Sequence, residues 1–202
     1  MKKQQIYFHI DVNSAFLSWS SLLHRGESGY PDRIQEIPAA IGGNEENRHG
    51  IVLAKSVAAK RFGVQTGEPL ARAREKCPEL LVFPPDYDQY VKCSRKLMKL
   101  LSEYSPTVEQ YSIDEAFVDM RGMEKLFGEP LDCAQKIRVR IREELGFTVN
   151  VGISVNRLLA KMASDFEKPD KVHTLFPDEI PRKMWPLPGI WQKATGIIWP
   201  EI

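Results

Sequence analysis

The chain has 202 residues, of which 43% are hydrophobic and 27% charged, and its formal net charge is +1. Those values fit a folded globular protein and exclude a disordered or fibrous one, and the length allows one substantial core or two small domains. A charge this near zero excludes attraction to nucleic acid through bulk charge alone, while leaving room for a basic stripe beside an acidic site.

In chain order, residues 5–11 carry the apolar run of a strand that closes at Asp11. NSAFLSWSSLLH at 13–24 follows as a helix capped by Asn13 or Ser14, with Phe16, Trp19, Leu22 and Leu23 at helical spacing. Glycines and prolines punctuate 26–50, where IPAAIGG at 37–43 and GIVLAKS at 50–56 are expected to pair as strands around a loop rich in Asn and Glu. A short helix over 56–62 stops at Gly63, and EPLARAREKCP at 68–78 gives another that ends before Pro78. Little large apolar surface belongs to this block.

After LLVFPP the spacing predicts a long amphipathic helix over about 87–104, ended by Pro106. VEQYSIDEAFVDM reads as a hairpin, EPLDCAQKIRVRIREELG as a helix stopped by Gly146, and FTVNVGIS as a strand. A further helix runs from Asn156 to about Phe166, and VHTLF at 172–176 is a last strand. The expected fold is α/β (α+β): one mixed or antiparallel sheet backed by helices, with the turn-rich 25–84 stretch inserted as a small domain. The ending, PRKMWPLPGIWQKATGIIWPEI, has too few residues for a core of its own.

Cys77, Cys93 and Cys133 are odd in number, far apart and without histidine pairs nearby, which reads as buried thiols in a reducing compartment rather than a zinc site. No apolar run reaches the roughly 18 residues of a membrane span, and the N-terminus lacks a continuous apolar stretch and a small-residue cleavage site. A cytoplasmic location without a membrane partner is expected.

The chemistry gathers in YSIDEAFVDM at 111–120. Asp114 and Glu115 are adjacent, and adjacent strand residues point to opposite faces, so both reach one ion only where the alternation breaks at a strand end or bend. Asp11 supplies a third carboxylate if its strand neighbours theirs. Clustered carboxylates repel, and a divalent cation with a preference for oxygen, Mg²⁺ or Mn²⁺, relieves that repulsion. Two such ions activate a hydroxyl and hold a leaving phosphate oxygen. The plain alternatives are a solvated Asp-Glu pair in a turn and an Asp11 that caps the following helix.

Four ordered segments, FHIDVNSAF at 8–16, GIVLAKSVAAKRFGVQTGEPL at 50–70, SIDEAFVDM at 112–120 and VGISVNRLLAKMASDFEKP at 151–169, resemble the Y-family DNA polymerases. These are the translesion enzymes that include bacterial polymerase IV and the UmuC-like proteins, and the resemblance covers about residues 5–188. It implies a ferredoxin-like polymerase palm with a small inserted fingers domain, divided as palm 1–24, fingers 25–84, palm 85–188 and the start of a thumb or a frayed tail at 189–202. It also implies a deoxynucleoside triphosphate and primer–template DNA as partners, two Mg²⁺ or Mn²⁺ ions, and attack of a primer 3′-hydroxyl on the α-phosphate.

By the same resemblance Asp11, Asp114 and Glu115 are the catalytic, metal-binding carboxylates, with the Val12 carbonyl as a backbone ligand. Phe16 falls at the gate that disfavours a ribose 2′-hydroxyl; as a bare sequence feature it is a core aromatic beside Trp19. Lys161 matches the lysine that reaches the phosphates, which need a positive partner. Lys60 replaces an arginine of the fingers and loses its planar fork. Val57 replaces a phosphate-contacting tyrosine, a loss for which Ser56 or Lys55 is the candidate compensation. KPDK at 168–171 replaces KPNG, whose glycine would serve the turn. Relatives of this kind continue into a helical thumb and a little finger that hold the duplex, so weak DNA affinity is expected of this chain. Two other readings stand beside the polymerase core: a non-catalytic nucleotide- or DNA-binding remnant, and a cyclase-like palm, in which the 50–70 segment has no place.

Overall fold

The structure, a computed structural model, describes residues 5–26, 31, 34–43 and 50–186. The expectations for the Asn- and Glu-rich loop at 44–49 and for 189–202 lie outside the described residues. Strand β1 (Tyr7–Val12) leads into α1 (Ala15–Leu23); then come β2 (Ala39–Gly42), β3 (Val52–Lys55), α2 (Val57–Arg61), α3 (Leu70–Lys76) and β4 (Leu81–Phe83). The remainder is α4 (Tyr87–Leu101), β5 (Val108–Gln110), β6 (Glu115–Asp119), α5 (Glu124–Phe127), α6 (Pro130–Arg140), β7 (Val149–Ser154), α7 (Arg157–Ser164), β8 (Val172–Thr174) and α8 (Ile180–Lys183).

Two sheets result. The larger has the order β5-β6-β1-β7-β8, with β1 antiparallel to both its neighbours and β8 parallel to β7. The smaller has the order β3-β2-β4, with β2 antiparallel to β3 and parallel to β4. A mixed α/β fold is what the strand and helix alternation called for. Strand β4 was not expected, because three residues of which Leu81 is exposed carry no legible alternation.

Alternation along β1 and β7 separates two faces of the large sheet. Phe8, Ile10 and Val12, with Val149, Val151 and Ile153, join Trp19, Tyr90, Leu97 and Ile137 in the main core. The opposite residues His9, Asp11, Asn150 and Gly152 lie on the face that α7 covers. The small sheet has cores of its own, one built on Ala40, Val52, Ala59, Leu70 and Ala73 and another where Leu17 of α1 meets Ile34, Ile41 and Phe83. The shortage of large apolar residues noted in the sequence is met by alanines, which let short elements approach closely.

Caps account for several helix starts. Asn156 accepts from the Leu159 amide at 2.9 Å and opens α7, and Asp86 accepts from the Gln89 amide at 3.1 Å and opens α4. Helix α1 departs from expectation: Ser14 occupies the cap in a left-handed conformation, φ 47°, and its side chain makes no capping bond. Asn13 does not cap either. Its amide is spent between strands, donating to Asn150 at 3.2 Å and accepting from the Asp170 amide at 2.9 Å.

Gly152 decides how α7 lies on the sheet. A Cβ there would sit 1.9 Å from the Ala160 carbonyl oxygen and 2.4 Å from the Ser164 nitrogen, both rigid backbone atoms. Only a residue without a side chain permits that approach. Gly152→Ala is therefore expected to lower the unfolding free energy in urea by roughly 3 kcal/mol or more. An unchanged urea midpoint would mean that α7 has room to shift.

Candidate active site

Between the end of β1, the start of α1 and the small sheet lies a cleft of about 930 Å³. Asp11, Val12 and Asp114 form its acidic end, Phe16 a wall, and Lys55, Val57 and Arg61 the side facing them. Lys168 and Pro169 close it from the loop after α7.

The strand pairing explains the acidic end. Asp11 is the register partner of Glu115 across β1 and β6, and the Val12 amide donates to the Asp114 carbonyl at 3.0 Å. Strand β6 begins only at Glu115, so Asp114 precedes it and escapes the alternation. The Ser112 hydroxyl donates to its Oδ1 at 2.7 Å and holds it toward the cleft. Glu115 turns beneath α7 instead, where the Lys161 ammonium meets its Oε2 at 2.6 Å and His9 Nε2 lies 3.6 Å away. Asp11 pairs with the Lys168 ammonium, which also meets Asp165 at 2.8 Å. Among the described residues no three His, Cys, Asp or Glu side chains converge as a ready-made metal site.

These surroundings push the two carboxyls apart. Burial raises Asp11, an effect that Lys168 opposes and the nearby Glu115 charge reinforces. Glu115 is held down at about 2 by the His9 ring and by Lys161, against burial. At Lys168 burial is outweighed by Asp11 and Asp165, so its ammonium is stabilised.

Phe16 is half-buried, stacked on Tyr90 with centroids 4.7 Å apart and planes at 11°, and edge-on to Tyr87. Trp19, read as its partner in the sequence, lies farther off at 6.5 Å. Two residues expected to contact substrate, Ser56 and Lys60, are not among those that line the cleft. The Ser56 hydroxyl is 1% exposed and fully engaged: it donates to the Ile37 carbonyl at 2.6 Å and accepts from the Ala39 and Ala59 amides. It caps α2 and has no capacity left to replace the hydroxyl that Val57 lacks. Lys60 is exposed on α2 but does not line the cleft, because the helix turns Arg61 and the 62%-exposed Val57 toward it. Lys55 does line it, and its ammonium is pushed down first by burial and then by the charge of Lys60.

The 168–171 turn also differs from expectation. The left-handed residue is Asp170, φ 58°, with its carboxylate between Arg138 at 2.7 Å and Arg142 at 3.0 Å, so no glycine is required at Lys171. Sequence reasoning missed Lys168 and His9 as parts of the site. Lys168 stood within a matched segment but was read only as part of a turn; a single histidine in a strand carries no signal.

The sequence matches the impB/mucB/samB family over residues 10–165, and the chain belongs to that family, that of the Y-family DNA polymerases. That match includes the 50–70 segment, which a cyclase-like palm leaves unexplained. Among its relatives, DNA polymerase IV of Clostridium acetobutylicum is 54% identical over 188 residues, 91% of this chain and 46% of that protein. DNA polymerase IV of Alkaliphilus oremlandii is 44% identical over 182 residues, 90% of this chain and 44% of that protein. The crystal structure of DinB from Sulfolobus solfataricus superposes with a TM-score of 0.76 at 26% identity, covering 95% of this chain and 57% of that one. An insertion ternary complex of Dbh DNA polymerase gives 0.73 at 26% identity, over 87% of this chain and 50% of that one. The chain thus spans about half the length of the curated relatives it matches.

Two measurements test this description. Ser56→Ala should cost roughly 1–2 kcal/mol in urea unfolding through loss of the α2 cap and leave nucleotide affinity unchanged. The carboxyls act oppositely on acid stability. Glu115, depressed on folding, contributes stability above pH 4.5 that is lost as the pH falls toward about 2, so Glu115→Gln should flatten that limb. Asp11, raised on folding, carries a penalty above its folded-state value, so Asp11→Asn should raise the melting temperature at pH 7. A lowered melting temperature would show that its pairing with Lys168 outweighs burial.

Proposed function

We propose that this chain forms the polymerising core of a translesion DNA polymerase of the polymerase IV type, adding deoxynucleotides from a triphosphate to a primer 3′-hydroxyl. The observation that carries the reading is the pairing of Asp11 with Glu115 on adjacent strands, with Asp11 and Asp114 at one end of a cleft whose other side carries Lys55 and Arg61. In this reading residues 1–24 and 85–188 are palm and 25–84 fingers. The separate sheets built from β1 with β5–β8 and from β2–β4 support the division.

The donors fit a hard divalent cation. Asp11, Asp114, Glu115 and the Val12 carbonyl offer oxygen only, and the Asp11 and Glu115 carboxylates already hold lysine ammonium groups as counter-cations. Bound there, two Mg²⁺ or Mn²⁺ ions would supply activation of the attacking hydroxyl and neutralisation of the leaving phosphate oxygen. The chain's own side chains do the rest. Lys55 and Arg61 offset triphosphate charge from the fingers side, and Lys161 and Lys168 do so from the palm side once released from their carboxylates. Phe16, braced by Tyr90, presents a rigid ring to the sugar and leaves no space for a 2′-hydroxyl.

Val57, which offers no hydroxyl, and the fully engaged Ser56 favour a second reading: a nucleotide-binding module without catalysis. Primer extension with Mg²⁺ or Mn²⁺ and calorimetric titration with a deoxynucleoside triphosphate separate the two. The polymerase reading expects metal-dependent incorporation that falls at least about 100-fold in Asp114→Ala, together with nucleotide binding that requires the ion. Ion-independent binding that survives Asp114→Ala, with no incorporation, supports the module instead.

A further inference from the structure

His9 is wholly buried and polar, and the proposed function gives it no role. It lies on β1 two residues before Asp11, on the face that α7 covers. Its Nδ1 is 2.8 Å from Ser164 Oγ, and the Phe117 ring packs 4.6 Å from its own. Nε2 has no hydrogen-bond partner among the described residues. What it faces is the Glu115 carboxylate, with Oε2 at 3.6 Å, beyond a hydrogen bond yet close enough for a strong field in a buried setting. A buried polar atom left in that condition needs an explanation.

Ser164, His9 and Glu115 stand in the order of a hydrolytic triad. A nucleophilic role is closed to Ser164: it is fully buried, its Oγ lies 2.7 Å from the Lys161 carbonyl, and Gly152 lies directly beneath its backbone. The geometry serves alignment instead. With the ring proton on Nε2, the single Ser164 hydroxyl proton is shared between Nδ1 and the Lys161 carbonyl, and Nε2–H faces Glu115.

We infer that His9 is a positioning residue: anchored on α7 through Ser164, it fixes the side-chain orientation of Glu115. The Glu115 carboxylate sits between two donors of different character. Lys161 reaches it on a flexible chain from near the surface and can leave; the imidazole is rigid and cannot. When Lys161 turns to a phosphate, His9 keeps the carboxylate facing the end of β1 instead of letting it follow the lysine. The inference rests on the polymerase reading for what Glu115 would hold, and on geometry alone for how Glu115 is held.

Two substitutions separate the functions of the ring. His9→Asn retains a group that reaches Ser164 but falls short of Glu115, whereas the amide of His9→Gln extends to the place of Nε2. Crystal structures of both without metal, calorimetric titration with Mn²⁺, and melting temperatures form the test. In His9→Asn the Glu115 carboxylate should move by more than about 0.5 Å toward Lys161. Its Mn²⁺ dissociation constant should rise about tenfold, and His9→Gln should bring it back to within about threefold of wild type at a similar melting temperature. If His9→Asn does not fold, Ser164→Ala removes the anchor without touching β1 and should displace Glu115 the same way. An unmoved Glu115 in His9→Asn or in Ser164→Ala overturns the inference, as does equal loss of Mn²⁺ affinity in both His9 variants. A wild-type chain that binds no Mn²⁺ overturns the polymerase reading instead, and the crystallographic comparison still decides the role of His9.

Discussion

The contact between α7 and the large sheet at Gly152 is the constraint on which the site depends. With the Ala160 carbonyl 1.9 Å from where a Cβ would stand, the helix lies directly on the sheet backbone. That depth brings Lys161 to Glu115 and Ser164 to His9, and it sets where the chain leaves α7 to carry Lys168 back to Asp11. A helix held off by one methyl group would carry all three groups outward together. Three polar contacts of the site therefore share one origin in a missing side chain.

The position of β1 supplies the complementary constraint. It is paired on both sides, so Asp11 is fixed against Glu115 on one flank and Asn150 on the other. A slip of one residue would bring His9 and Asp11 into the apolar core and turn Phe8 and Ile10 toward α7 and the polar site, which makes the register costly to change. Within that frame the carboxylates differ by environment: Asp11 is the more buried and is raised, while Glu115 sits between two donors and is lowered. The sheet thus places unlike acids side by side without any difference in strand geometry.

Much of this was legible in the residues. The break in alternation at Asp114, the strand ending in Asp11, the helix starting at Asn156 and the pairing of the 37–43 and 50–56 segments all follow from local pattern, because turn and cap chemistry acts over a few residues. What stayed hidden is non-local. Ser56 stood in a matched segment, yet whether a hydroxyl faces a cleft or a carbonyl 19 positions away is not written in its neighbourhood. Lys60 and Arg61 are adjacent on a short helix, and which of them faces the cleft depends on how that helix is rolled. The partnership of His9 with Ser164 spans 155 positions, and that of Lys168 with Asp11 spans 157.

The two lysines on Asp11 and Glu115 carry one more implication. A bare group of carboxylates accepts a cation by simple addition, with affinity set by their mutual repulsion. Here each arriving divalent ion would have to exchange with an ammonium tethered at short range, so occupancy becomes a competition against a ligand of fixed local concentration. In the proposed reading the site would act as an ion exchanger, its two lysines set free as a cation takes over their carboxylates.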